Sequence, residues 1–134
     1  MTTRHAACAC GRLQMSLEGE PRLVSMCHCL QCQRRTGSAF GVQAWFAPEQ
    51  VAAMSGEARQ YARATESGRT VTFQFCPNCG STISWRAEMR PGLVAVAVGA
   101  FADPEFSGPH VALWERRRHE WLAPLAALPC EHSL

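Results

Sequence analysis

Three cysteines crowd into one short stretch of the sequence, and this cluster limits what the chain can fold into. They lie too close together to pair sensibly with one another as disulfides. In an extended segment Cys27 and Cys29 point to one side and His28 to the other, and the spacing to Cys32 lets a turn present a further sulfur. Thiolates suit zinc, and a structural zinc takes four ligands. The stretch therefore predicts a metal site that either gains a ligand from elsewhere or keeps a position for water or substrate.

Four further cysteines are spaced as two pairs, Cys8 with Cys10 and Cys76 with Cys79. Eight cysteines in a short chain can indicate a secreted disulfide framework, but these spacings and the absence of a signal-peptide pattern favour metal. The two pairs can form a closed four-sulfur site, which leaves the triplet to hold a second ion with one place free. A rival division joins the triplet to one pair, but it crowds five sulfurs into one site. The four-sulfur site would close a long loop and contribute strongly to folding.

The knuckle from Cys76 to Gly80 is the most specific of these motifs, and we expect its glycine to leave room for the backbone near the metal. A redox function for this CxxC motif is the alternative, but it usually accompanies a βαβ pattern that is not found here. Cys130 has no spaced partner and is assigned no role.

The chain of 134 residues is most simply one domain, spanning residues 1–134, with the composition of a globular protein. Strand-like patterns recur and long helical periodicity is absent, which predicts a mainly β fold. The predicted strands cover residues 13–17, 23–26, 39–46, 58–64, 70–75, 83–85 and 93–99. The segments 58–64 and 70–75 form a predicted hairpin. Short helical turns are expected at Gln33–Gly37, Pro48–Met54 and Arg116–Leu122.

The formal net charge of +2 is no evidence for nucleic-acid binding, because it counts every thiol as neutral. With two zinc ions and seven ligating thiolates the net charge becomes about −1. The basic run Arg116–His119 is flanked by Glu115 and Glu120, which favours a solvated face. The longest apolar run, 93–102, is too short for a membrane span of about 20 residues. We therefore expect no nucleic-acid or membrane partner and a cytoplasmic location.

Three motifs together resemble the glutathione-dependent formaldehyde-activating enzyme family, also called S-(hydroxymethyl)glutathione synthase-like. They are CxCG at Cys8–Gly11, CHCxxCxxxxG at Cys27–Gly37 and FCxxCG at Phe75–Gly80. His110 and Trp121 resemble the family's C-terminal histidine-plus-tryptophan segment more loosely. The resemblance implies several coiled antiparallel β-sheets around a four-cysteine zinc site, a fold shared with a nucleotide-free Rab chaperone and methionine sulfoxide reductases. Centromere protein V is a related family member.

The family's nominal reaction adds a thiol to formaldehyde, and it implies a carbon–sulfur lyase or synthase acting on a glutathione-like adduct. In this interpretation Cys27, Cys29 and Cys32 hold a catalytic zinc. The structural zinc would have four ligands, namely Cys8, Cys10, Cys76 and Cys79. Two zinc ions per chain are expected, the second exchangeable. Zinc would bind the substrate sulfur as thiolate at neutral pH, and a zinc that already holds three thiolates would orient that thiol rather than polarise the aldehyde.

Two other functions remain open. The chain is a binding module if both zincs are structural and the triplet gains a fourth ligand, for which His28, His110 and Cys130 are the candidates. It is a thiol redox protein if Cys130 is a nucleophile, although no local motif around Cys130 supports this.

Three further side chains near the triplet have two interpretations each. His28 has a pKa suited to proton transfer, but its alternation away from the ligand side favours a structural or exposed role. Arg34 and Arg35 can contact the carboxylates of a glutathione-like substrate, although solvated arginines are commoner.

Overall fold

The structure, a computed structural model, describes residues 2–125 and 130–131, with side chains described to residue 122. The predicted mainly β fold is confirmed. The chain forms two compact units: Met1–Arg22 with Ala44–Phe106, and Leu23–Gln43 with Ser107–Leu134. None of the helices among the described residues has the length and hydropathy that a membrane crossing requires.

The described residues contain eleven strands and a single α-helix. The strands are β1 Thr3–Ala7, β2 Gln14–Glu18, β3 Leu23–Cys27, β4 Gly41–Phe46, β5 Val51–Ser55, β6 Arg59–Ala64, β7 Thr70–Phe75, β8 Thr82–Ala87, β9 Val94–Ala97, β10 Val111–Leu113 and β11 Cys130–Glu131. The helix α1 spans Leu30–Thr36. Short 3-10 turns span Pro48–Gln50, Val98–Phe101, Glu115–Arg117 and Glu120–Leu125.

In the first unit, β1, β2 and β5 form a three-stranded antiparallel sheet in that order. The alternation predicted for the second strand is present, since Met15 and Leu17 are buried and Gln14 is exposed. Residues of opposite character therefore lie on opposite faces, as the two-residue period of a strand requires.

The predicted hairpin is also found in the first unit. Strands β6 and β7 pair antiparallel from Arg59↔Phe75 to Ala64↔Thr70, and Gly68 in the turn has a φ of 84°. Strand β8 pairs with β7 and with β9. Phe73 packs on Trp85 with their ring centroids 5.4 Å apart, which gives this sheet a buried aromatic pair.

A helical turn predicted at residues 48–54 is only partly present, and this expectation is corrected. The 3-10 turn stops at Gln50, whose side chain accepts the Ala47 N–H at 2.8 Å and donates to the Glu18 carbonyl at 3.0 Å. From Val51 the chain pairs with β2 instead. The backbone hydrogen bonds offered by a neighbouring strand thus outweigh the weak local preference for a helix.

In the second unit, β10 runs parallel to both β3 and β11, so the expectation of antiparallel sheets does not hold for these pairs. Leu113 is aligned with Cys27, the last residue of β3. Antiparallel neighbours can be joined by a tight turn, whereas parallel neighbours need a long connection. The many residues between β3 and β10 supply that connection, and no local pattern marks it.

Candidate metal centres

Four cysteine sulfurs gather in the first unit. The Sγ atoms of Cys8, Cys10, Cys76 and Cys79 all lie within 4.8 Å of one another. The Sγ of Cys10 is 3.6 Å from that of Cys8 and 3.7 Å from that of Cys76, too far for disulfides. A tetrahedral zinc with Zn–S distances of about 2.3 Å separates its sulfurs by about 3.8 Å. The two measured distances fit that geometry, so the donor set and its spacing suit zinc.

Two tight loops bring these sulfurs together. In the loop after β1, the Leu13 N–H donates to the Cys8 Sγ at 3.2 Å. In the loop after β7, the Gly80 N–H donates to the Cys76 carbonyl at 2.8 Å. Gly80 has a φ of 78°, and a Cβ built on it meets nothing within 4 Å. The glycine is therefore required for its left-handed backbone, not for space as the sequence suggested.

Hydrogen bonds favour the thiolate form of two of these cysteines. Bonds from the side chain and the backbone of Ser81 lower the pKa of Cys79 to about 5. Hydrogen bonding by Asn78, then by the backbone of Arg12, lowers the pKa of Cys10. Thiolates are the form that binds metal, so these hydrogen bonds prepare Cys10 and Cys79 to act as ligands.

Ser81 links the two loops and should tune the affinity of the four-cysteine group for its metal. Its Oγ is 3.3 Å from the Cys79 Sγ and accepts the Ala9 N–H at 3.1 Å. We expect Ser81→Ala to weaken zinc binding there by about 10-fold, because groups that orient ligands typically contribute 10–100-fold. Competition with a chromophoric chelator measures this. Ser67→Ala, in the exposed β6–β7 turn, is the matched control, and equal affinities for the two variants would contradict the prediction.

Three sulfurs gather in the second unit, at the junction of β3 and α1. Cys27 ends β3, Cys29 is the N-cap of α1 and Cys32 lies in its first turn. Their Sγ atoms lie within 4.8 Å of one another, and the Cys32 N–H donates to the Cys29 Sγ at 3.3 Å. Helix α1 ends at Gly37, which has a φ of 67° and donates its N–H to the Gln33 carbonyl. The predicted helical turn closed by Gly37 is therefore present.

No fourth ligand atom from His, Cys, Asp or Glu joins this group among the side chains that the structure describes. His110 accepts the Val24 N–H on its Nδ1 at 3.3 Å. His28 is only 1% exposed and its Nδ1 makes no hydrogen bond to a described residue. The side chain of Cys130 lies outside the described residues. The two histidines considered as fourth ligands are thus not brought to the three sulfurs.

The thiols of Cys27 and Cys32 are difficult to ionise in the absence of a cation. Hydrogen bonding with Cys29 and with Cys32, followed by burial, raises the pKa of Cys27. The pKa of Cys32 is also raised: hydrogen bonding from Cys27 lowers it, but hydrogen bonding with Cys29 and burial outweigh that. Like charges held this close are unfavourable, and a divalent cation between them reverses the effect. The donor set therefore fits a zinc ion bound by three thiolates.

A chain of hydrogen bonds connects α1 to the C-terminal part of the unit, and sequence reasoning missed it. The Gln33 Nε2 donates to the carbonyls of His28 at 2.9 Å and of Arg117 at 3.2 Å. The Gln33 Oε1 lies 3.0 Å from the His119 Nε2, and the Trp121 Nε1 donates to the His119 Nδ1 at 3.3 Å. Because an indole N–H only donates, His119 carries its proton on Nε2 and donates it to Gln33. His119 is therefore anchored rather than merely solvated.

The remaining predicted residues differ in their surroundings. His28 is buried, with its ring 6.0 Å from that of Phe40, and burial lowers its pKa. This placement matches the structural role considered for His28 and not an exposed one. Arg34 is exposed, whereas Arg35 is partly buried. Trp121 is 68% exposed despite its hydrogen bond to His119.

Comparison with known proteins supports both the fold and the family. The crystal structure of a Rhodobacter sphaeroides protein, a structural-genomics target, aligns with a TM-score of 0.59 at 18% identity, covering 95% of this chain and 99% of that one. At that identity the likeness shows the fold alone. No curated protein gives a significant match. Residues 3–117 match the family described as glutathione-dependent formaldehyde-activating enzyme. The chain belongs to this family, whose description implies an enzyme acting on formaldehyde and glutathione.

Proposed function

We propose that this chain is a zinc-dependent carbon–sulfur lyase, which makes and breaks the bond between formaldehyde and a thiol such as glutathione. Cys27, Cys29 and Cys32 are the proposed ligands of the catalytic zinc. The observation that carries the proposal is the cluster of three sulfurs that no fourth described side chain completes. The proposed structural zinc has four other ligands, namely Cys8, Cys10, Cys76 and Cys79.

The proposed reaction is an addition without any change of oxidation state. The thiol sulfur bonds to the formaldehyde carbon, the carbonyl π electrons move to the oxygen, and the proton lost by the thiol is balanced by one that the oxygen takes up. A zinc at the three sulfurs would supply a substrate thiolate at neutral pH. The reverse reaction releases formaldehyde and the thiol.

The protein's own residues hold the site in place and restrict its solvent exposure. Cys27 is buried at the end of β3, and the N-cap hydrogen bond from the Cys32 N–H keeps Cys29 beside it. Gln33 fastens α1 to the His28 and Arg117 carbonyls, so the helix that carries Cys32 and is capped by Cys29 is fixed to the unit. A fixed site contributes mainly by proximity, because it holds two reactants in a reactive orientation. We further propose a cytoplasmic setting, whose reducing conditions keep the ligating thiols reduced.

The reaction can be tested by nuclear magnetic resonance exchange spectroscopy with ¹³C-formaldehyde and glutathione at equilibrium. We expect the protein to accelerate exchange between free formaldehyde and the glutathione adduct above the spontaneous rate. Elemental analysis of the same sample should give two zinc ions per chain, and a mild chelator should remove the second zinc and the acceleration together. Two firmly held zincs with no acceleration would instead identify a binding module in which both metals are structural.

A further inference from the structure

Two neighbouring arginines on α1 have different environments. Arg34 is exposed to solvent, whereas Arg35 is partly buried and its guanidinium Nε and Nη2 atoms are fully covered. Both follow Cys32 closely, so the sequence alone does not separate them. A covered guanidinium is poorly screened by water, so its positive charge acts strongly on the groups around it.

Gly41 provides the space that the Arg35 guanidinium occupies. A Cβ built on Gly41 would lie 2.6 Å from the Arg35 Nη2, 3.5 Å from the Thr36 Cγ2 and 3.7 Å from the Cys32 Cβ. Gly41 is not among the glycines with a positive φ, so its backbone does not require glycine. Any side chain at position 41 would displace the guanidinium, and the same spot touches Cys32. The absence of a side chain at this position therefore leaves room for the Arg35 guanidinium close to the Cys32 side chain.

The charge of the three-cysteine group makes a nearby cation useful. Three thiolates around a divalent ion carry a net charge of about −1, and a substrate thiolate makes it about −2. Partly buried charge of one sign is costly unless an opposite charge lies within a few ångströms.

We propose that Arg35 is a positioning residue whose buried guanidinium, admitted by Gly41, offsets the negative charge of the three-cysteine site when a thiolate joins it. This inference rests on the proposed function for the identity of the fourth ligand. It assigns Arg35 to the charge of the metal–sulfur group and not to a substrate carboxylate. The site should consequently favour an anionic fourth ligand over a neutral one.

The first test measures metal affinity in the full chain and needs no turnover. The affinity of the three-cysteine group for zinc is measured by competition with a chelator. Its affinity for cobalt(II) is measured from the sulfur-to-metal charge-transfer absorption. Arg35→Gln should weaken the second metal by about tenfold. Arg34→Gln removes the same charge from an exposed position two residues after Cys32. Its metal affinity should stay within about twofold of that of the parent. Equal losses in the two variants would overturn the proposal.

Two more variants separate charge and position from a folding defect. Arg35→Lys keeps the charge and should recover most of the affinity. Gly41→Ala keeps the arginine but pushes its guanidinium away, and should lose affinity in the same direction as Arg35→Gln. Retention of the metal at the four-cysteine site confirms that each variant is folded. Full affinity in Gly41→Ala, or no recovery in Arg35→Lys, would contradict the assignment.

The second test distinguishes charge compensation from carboxylate recognition. Glutathione, 2-mercaptoethanol and imidazole are titrated against the cobalt-loaded protein. Arg35→Gln should weaken 2-mercaptoethanol about as much as glutathione, since both bind as thiolates, and should change imidazole by less than about twofold. A loss confined to glutathione would mean that Arg35 binds its carboxylates, which would overturn the proposal. Failure of the formaldehyde exchange assay with these results intact would count against the proposed function alone.

Discussion

Replacing Cys29 with serine is expected to abolish second-site metal binding and to lower the exchange rate by more than about a hundredfold, since groups that merely support a ligand already contribute 10–100-fold. Serine removes the thiolate but keeps a good N-cap oxygen for the Cys32 N–H that the Cys29 sulfur accepts now. Helix α1 should therefore persist, and the loss should be one of ligation. Metal content and the ¹³C-formaldehyde exchange rate measure the two effects.

Cys130→Ser is the control for loss of a thiol that belongs to none of the three cysteine motifs. We expect it to keep both metals and the full rate. If Cys130→Ser lost the activity while Cys29→Ser kept it, the exchange would depend on Cys130 and not on the three-cysteine group. If Cys29→Ser kept two metals, the three-sulfur group would not be the second metal site.

Replacing Cys76 with serine should have the largest effect on stability. Cys76 is 1% exposed, and its sulfur lies in a group whose members come from both sequence segments of the first unit. Loss of a structural metal is one of the few single changes that lower the free energy of unfolding by more than about 4 kcal/mol. We expect Cys76→Ser to lose the metal of the four-cysteine group and to show no cooperative unfolding transition. An excess of strong chelator should have the same effect on the parent chain.

Urea denaturation with parallel metal analysis measures this, and Cys29→Ser is the matched comparison. That variant loses a metal too, but should retain most of its resistance to urea because its ligands are local. The interpretation of the two sites would be reversed if Cys29→Ser unfolded the chain and Cys76→Ser did not.

Features that depend on neighbours in sequence could be predicted, and they include the cysteine clusters. The CxC and CxxC spacings indicate which sulfurs can share an ion, because a short loop limits where a second thiol can go. The same holds for the β6–β7 hairpin and for Gly37, whose left-handed backbone ends α1. The family motifs predict the mainly β fold and the division of the cysteines into two groups.

Apart from the grouping of the two cysteine pairs, features that depend on residues far apart could not be predicted. The parallel alignment of β10 with β3 has no local pattern, and Gln33 meets His119 across 86 positions. Arg34 and Arg35 are alike in sequence, but Gly41 on β4 leaves room for the Arg35 guanidinium. Such differences arise from packing, which residue type and spacing do not encode.

The two sulfur groups differ in how much chain separates their ligands, and this sets the order in which they can acquire metal. Cys27 and Cys32 are five positions apart, whereas Cys10 and Cys76 are 66 apart. Closing a short loop costs little entropy, so the local segment can capture an ion in the unfolded chain. Metal that also binds the unfolded chain contributes less to stability. Uptake at the four-cysteine group is thus the event that reports completed folding, and it comes last.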